Sequence, residues 1–171
     1  MITSICPGSY DPVTNGHVDV IARAAGIFDR VVVGVVGSPH HKQPMFTMEE
    51  RVDFLRSALG HLPNVEIDVF RELVVDFAHR WDAKVIVKGL RVISDFEWEF
   101  QMNQLNQHLA PDVETMYVMA SPQVSFVSSS GVKEIAAFGG DVSALVPEPV
   151  AVRFKQLFPS GLPGTPENPT A

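Results

Sequence analysis

Apolar residues fall into two alternating patterns along this chain. Short runs at Ile2–Cys6, Val31–Val36, Val65–Phe70, Val85–Val87 and Thr115–Ala120 read as strands. Several are continuous Val/Ile stretches of the kind buried on both faces of a sheet. Between them the apolar period lengthens to that of helices. Val18, Ile21, Ala22 and Ala25 follow i, i+3, i+4, i+7 spacing. A second helix opens at "TMEE", where Thr47 and Glu50 form a capping box, and continues through Val52, Leu55 and Leu59. A third runs near Leu73–Trp81 with Val74, Phe77 and Ala78 inward. A fourth begins at "SDFE" with a Ser94/Glu97 capping box and reaches Leu109. A fifth follows Ser130 and ends at Gly139–Gly140, and a short last helix runs from Pro147 to Phe158.

Five strand–helix units in series predict an α/β fold. The expected architecture is a single-domain, doubly wound, Rossmann-like five-stranded parallel sheet with helices on both faces. The domain spans residues 1–158, and the Pro/Gly-rich stretch 159–171 reads as a mobile tail. In such sheets ligands bind beyond the carboxyl ends of the strands. The chemically informative segments all follow strands: "PGSYDPVTNGH", "SPHHKQPMF", "KGLR" and "SPQVSFVSSSGVKE".

Composition narrows the function. A formal charge of -7 argues against a general nucleic-acid binder, but not against a small anion held by local cations. No apolar run reaches the roughly 20 residues of a spanning helix, and no basic-then-apolar signal segment opens the chain. No membrane or nucleic-acid partner is expected. The single cysteine, Cys6, ends an apolar run and reads as a buried bystander in a reducing, cytoplasmic compartment.

The first strand–helix junction carries the clearest chemistry. With Thr14 as N-cap, His17 stands at the third helical position, where backbone N–H groups lack intrahelical acceptors and the helix dipole favours an anion. Gly16 removes a side chain, so a phosphate gains access to backbone and imidazole together. The bland alternative is a solvent-facing cap residue. Lys88 and Arg91 flank Gly89 and Leu90 at a strand end, as a phosphate clamp or as surface ion pairs. Ser128, Ser129 and Ser130 offer hydroxyls and free N–H groups, or a plain loop and cap. No Asp/Glu cluster suggests a metal cage. Anions would bind where cations converge, with the acids elsewhere.

"CPGSYDPVTNGHVDVI", "PMFTMEER", "LVVDFA", "VKGLRVISDFEWE", "QMNQLNQHL" and "SFVSSSGVKEIA" together resemble bacterial phosphopantetheine adenylyltransferases. That family belongs to the nucleotidyltransferase superfamily with its T/H-x-G-H signature. The resemblance runs in order from Ile2 to Phe158. It implies adenylyl transfer from ATP to 4'-phosphopantetheine, giving dephospho-coenzyme A and pyrophosphate, by in-line attack without a covalent intermediate. By the same resemblance, His17 stabilises the transition state, and Lys42 and Arg91 complete the catalytic set. Ser9, Tyr10, Gly89, Leu90, Arg91, Glu99 and the segment Val124, Ser125, Phe126, Val127, Ser128, Ser129 and Ser130 hold ATP. Ser9, Lys42, Leu73, Val74, Lys88, Met102, Leu105 and Asn106 hold phosphopantetheine.

Mg²⁺ carried with ATP, a homohexamer and feedback inhibition by coenzyme A are further implications. Four positions depart from the family's usual pattern. The loop before Pro44 is one residue longer, leaving His41 as the alternative to Lys42. Lys88 stands for the more usual Arg, Val124 for an aromatic residue, and Gly131 for a bulkier apolar one. Two rival readings share the fold: a superfamily enzyme with another phosphate acceptor, and a non-catalytic nucleotide or coenzyme A sensor.

Overall fold

A computed structural model describes residues 1–37 and 43–159, apart from the side chains of Ile93 and Ser94. The strands are β1 (Thr3–Gly8), β2 (Arg30–Val36), β3 (Val65–Phe70), β4 (Val85–Leu90) and β5 (Glu114–Met119). The helices are α1 (Asn15–Ala25), α2 (Met48–Leu59), α3 (Val74–Arg80), α4 (Ile93–Leu109), α5 (Ser129–Ala137) and α6 (Glu148–Leu157). All strand pairs are parallel, in the order β3-β2-β1-β4-β5. The doubly wound sheet is therefore as the sequence indicates. Its direction of growth reverses between β1 and β4, and the crevice at that switch point is where such sheets take ligands.

Alternation along the central strands feeds two cores. Val31, Val33 and Val35 of β2 join Val85 and Val87 of β4 against α1, α2, α5 and α6. Ile5, Val32 and Ile86 face the other way, against Val75, Phe77 and Ala78 of α3. Burying each of these side chains contributes about 1.5–3 kcal/mol before entropy is counted. The capping box of Thr47 and Glu50 forms at α2: Thr47 Oγ1 accepts from Glu50 N at 3.2 Å, and Glu50 Oε2 accepts from Thr47 N at 2.9 Å.

Several boundaries and faces differ from expectation. β1 and β4 run on to Gly8 and Leu90, and β5 starts and ends one residue early, because parallel pairing with neighbours continues past the apolar runs. On α1 the fully buried residues are Val20, Ile21 and Ala24, and Val18 and Ala25 pack half-buried against the same core, so the inner face is wider than the expected stripe. On α3, Val75 is buried as well, and Val74 packs half-buried against the same cluster. α4 begins at Ile93 with Val92 as its N-cap, which places Ser94 inside the helix and not at the expected cap position. Asp95 instead accepts from Arg91. α5 starts at Ser129, with Ser128 as N-cap accepting from Gly131 N at 3.0 Å. Residues 160–171 of the tail lie outside the described residues.

Gly34, in the middle of β2, fits only without a side chain. A Cβ there would overlap the Phe77 ring and stand 3.1 Å from Phe70, whose ring stacks on Phe77 with centroids 4.5 Å apart. Gly34→Ala is expected to cost about 1–3 kcal/mol through overpacking. Urea unfolding would show a lower midpoint with an unchanged slope; an unchanged midpoint would mean that the Phe70–Phe77 pair repacks freely.

Candidate active site

β1 and β4 end side by side, and a cleft of about 500 Å³ opens beyond them. Its walls come from the turn after β1, the first turns of α1 and α5, the end of β4, and α4. Of the ATP-side residues expected from sequence, Ser9, Tyr10, His17, Gly89, Arg91, Glu99, Val127, Ser128, Ser129 and Ser130 line it, and so does Lys88.

His17 is held by its own helix. The Thr14 backbone N–H donates to His17 Nδ1 at 3.0 Å, and Thr14 Oγ1 accepts from His17 N at 3.4 Å. The histidine thus fills the place of the Glu in a capping box. Because a backbone N–H can only donate, Nδ1 must be the unprotonated nitrogen, and the ring proton sits on Nε2. Burial, and secondarily the charge of Arg91, pulls the imidazole down to about 4. His17 is therefore neutral near pH 7, with Nε2–H as its remaining donor. The Tyr10 ring packs edge-on against it at 5.1 Å. Tyr10 itself is buried, donates its hydroxyl to Cys6 O at 2.8 Å, and holds a left-handed backbone at φ 48. Such a conformation in a non-glycine residue costs on the order of 1 kcal/mol and persists only where packing enforces it.

Gly16 lines the cleft beside His17, as expected, and a Cβ there would stand in ordinary contact with the Val124 carbonyl at 3.4 Å. The acids differ from the expectation: they share the cleft with the cations. Asp95 grips Arg91 through two bonds, Nε to Oδ2 at 3.0 Å and a second guanidinium nitrogen to Oδ1 at 3.1 Å. A third contact runs from Arg91 Nη1 to Val127 O at 3.2 Å. Burial raises the Asp95 carboxyl, but its bonds to Arg91 and the cation's charge outweigh this and hold it below the usual value. Lys88 Nζ stands 3.4 Å from Glu99 Oε1. These pairings hold both cations at the strand ends while the net charge of the chain stays negative.

Ser128 caps α5, and Ser129 Oγ donates to Pro12 O at 2.8 Å, leaving Ser130 the exposed member of the triplet. Val124, Ser125 and Phe126 precede the lining without joining it, and Leu90 is buried behind it. Leu73, Val74, Met102, Leu105 and Asn106 lie on α3 and α4 outside the cleft; Leu73 and Leu105 are exposed and Asn106 is buried. Lys42, with His41 as its alternative, falls outside the described residues. Cys6 lines the floor, and burial pushes its thiol up to about 12, which makes it inert as a nucleophile.

Sequence reasoning gave Asp95 no role, although an acid four residues after Arg91 signals a pair. It assigned no role to Trp98, which lines the cleft, or to Asp11, Arg51 and Lys133 beside it. No local pattern marks the last three, because their contacts span 15 to 122 residues.

Residues 5–135 match the cytidylyltransferase-like family. Curated relatives include phosphopantetheine adenylyltransferases of Herminiimonas arsenicoxydans (51% identical, covering 85% of this chain and 89% of the relative) and Carboxydothermus hydrogenoformans (49%, covering 92% and 97%). The enzyme of that name from Bordetella pertussis is 53% identical over 85% of this chain and 86% of its own. The parallel five-stranded sheet with its cleft at the switch point, together with this likeness over most of the chain, places the protein in the phosphopantetheine adenylyltransferase family of cytidylyltransferase-like proteins.

Proposed function

We propose that the cleft binds ATP and 4'-phosphopantetheine together and transfers the adenylyl group, releasing pyrophosphate and dephospho-coenzyme A. The observation that carries this reading is the neutral His17, its Nε2–H turned to use by the Thr14 bond at the N-terminus of α1. The pantetheine phosphate attacks the α-phosphorus in line. It is already an anion at neutral pH, so no general base is needed. The task left to the protein is to align two anions and to stabilise charge as it develops.

His17 donates to the α-phosphate in the transition state. Arg91, oriented by Asp95, addresses the β- and γ-phosphates together with the N-terminal amides of α5 and Ser130. Lys88 and Lys42 receive the phosphate of phosphopantetheine, with Ser9 between the two substrates. Lys88 supplies a point charge rather than a fork. Its partner Glu99 and the 124–127 segment border the adenosine. Leu73, Val74, Met102, Leu105 and Asn106 form the surface along which the pantetheine arm extends.

Mg²⁺ enters as the ATP complex and neutralises phosphate charge there. The acids nearest the cleft are committed to cations: Asp95 to Arg91, Glu99 to Lys88 and Asp11 to Lys133. That fits a metal carried by substrate. Among the described residues no helix is long and apolar enough to cross a membrane, and a lone reduced cysteine suits the cytoplasm. Coenzyme A shares its body with the product, so feedback inhibition would act at this cleft. Self-association to a hexamer is supported by the exposed Phe96, Trp98, Phe100, Leu105 and Leu109 of α4, beside Met116 and Met119 on the edge strand β5.

Pyrophosphate release is expected with ATP, Mg²⁺ and 4'-phosphopantetheine, and none with nicotinamide mononucleotide as acceptor. His17→Ala should lower kcat about 10²–10³-fold, as loss of one transition-state donor does. Turnover unchanged in that variant contradicts the mechanism, and ligand binding without any turnover favours a sensor. Sedimentation equilibrium is expected to give six times the 18.8 kDa of one chain; a monomer at micromolar concentration contradicts the assembly.

A further inference from the structure

Arg51 of α2 is among the most deeply buried side chains of the protein, 1% exposed. Its Nη1 donates to Ser9 O at 2.7 Å and to Val36 O at 3.3 Å, so one guanidinium nitrogen bridges the turn after β1 and the end of β2. Its Nε is buried without a partner. Among the described residues no carboxylate forms an ion pair with it. A guanidinium held this way is costly unless something else uses its charge.

The closest acid to act on it is Asp11, and only through space. The Asp11 carboxylate is fully engaged elsewhere. It accepts from Met45 N at 3.0 Å, from Phe46 N at 2.9 Å and from Lys133 Nζ of α5 at 2.9 Å. Asp11 is itself buried, at 6% exposed. Asp11 and Lys133 border a second hollow of about 320 Å³ that shares Ser9, Ser129 and Ser130 with the main cleft. One acid and two bases thus lie behind the Ser9 turn and the α5 N-terminus, leaving one positive charge over.

We infer that Arg51, Asp11 and Lys133 form an internal charge set whose net positive charge, together with Arg51's hold on the Ser9 carbonyl, makes the adjoining pocket bind pyrophosphate, free or as part of ATP. Arg51 is a positioning residue: it touches no substrate and acts through Ser9 and through its field. In a poorly solvated interior that field is screened less than a surface charge would be. The inference rests on the functional reading above, because it gives that cleft a polyphosphate ligand.

The test is calorimetric binding of inorganic pyrophosphate to the full chain and to three variants. Arg51→Met, similar in length but neutral, should weaken binding roughly tenfold, the size expected for one unit charge acting across several ångströms of protein. Arg51→Lys, which keeps the charge but not the planar fork, should bind pyrophosphate within a few-fold of the parent chain. Lys133→Gln, at a half-buried position of α5, should weaken binding in the same direction as Arg51→Met, and it decides alone if the Arg51 variants do not fold. Equal loss in Arg51→Met and Arg51→Lys overturns the charge argument and leaves only a structural brace. Unchanged binding in Arg51→Met or Lys133→Gln overturns it too. A parent chain that binds no pyrophosphate overturns both this inference and the functional reading, whereas variant results against a parent that binds bear on the charge set alone.

Discussion

One hydrogen bond organises the site: the Thr14 N–H donated to His17 Nδ1. It closes the first turn of α1, and it fixes which imidazole nitrogen keeps its proton. It also puts that proton where the helix dipole already favours an anion. The rest of the surroundings serves the same arrangement. Tyr10 packs on the ring from a left-handed turn, and burial keeps the ring neutral. A protonated histidine would offer a stronger charge, but Nδ1 would then face the Thr14 N–H as a second donor. The capping geometry and the charged state exclude each other.

The same economy governs the ionic groups. In a chain of net charge -7 the cleft gathers cations without excluding acids. Asp95 and Glu99 sit beside Arg91 and Lys88 and hold them at the strand ends, where flexible cations would otherwise scatter. For the longer side chains, much of the ordering cost is met before a ligand arrives. Beside these pairs lie the buried Asp11 and Arg51 with the half-buried Lys133.

The sheet was legible because β2 and β4 carry buried, Val-rich runs, and the T-x-G-H junction was legible because helix caps are local. Thr14, His17 and the Thr47/Glu50 box all follow from spacing within four residues. The errors also have local causes. The inner face of α1 is wider than the stripe of Val18, Ile21, Ala22 and Ala25, because Val20 and Ala24 join it against the core. The Ser94/Glu97 box satisfied the pattern while β4 and Arg91 drew the helix start back to Ile93 and claimed Asp95. What sequence could not reach was pairing over long separations: Asp11 with Lys133, Arg51 with Ser9, and Arg91 with the Val127 carbonyl. On α4 apolar residues occur on every side, so no stripe shows which of them face a ligand and which a neighbouring chain.

The most direct measurement of the central claim is the nitrogen NMR spectrum of His17 through a pH titration of the intact protein. At pH 7 the account predicts an unprotonated Nδ1 and a protonated Nε2, with the ring staying neutral until the solution falls to about pH 4. A ring already charged at pH 6, or a proton residing on Nδ1, contradicts it, because neither state accepts the Thr14 N–H while presenting the proposed donor to the α-phosphate.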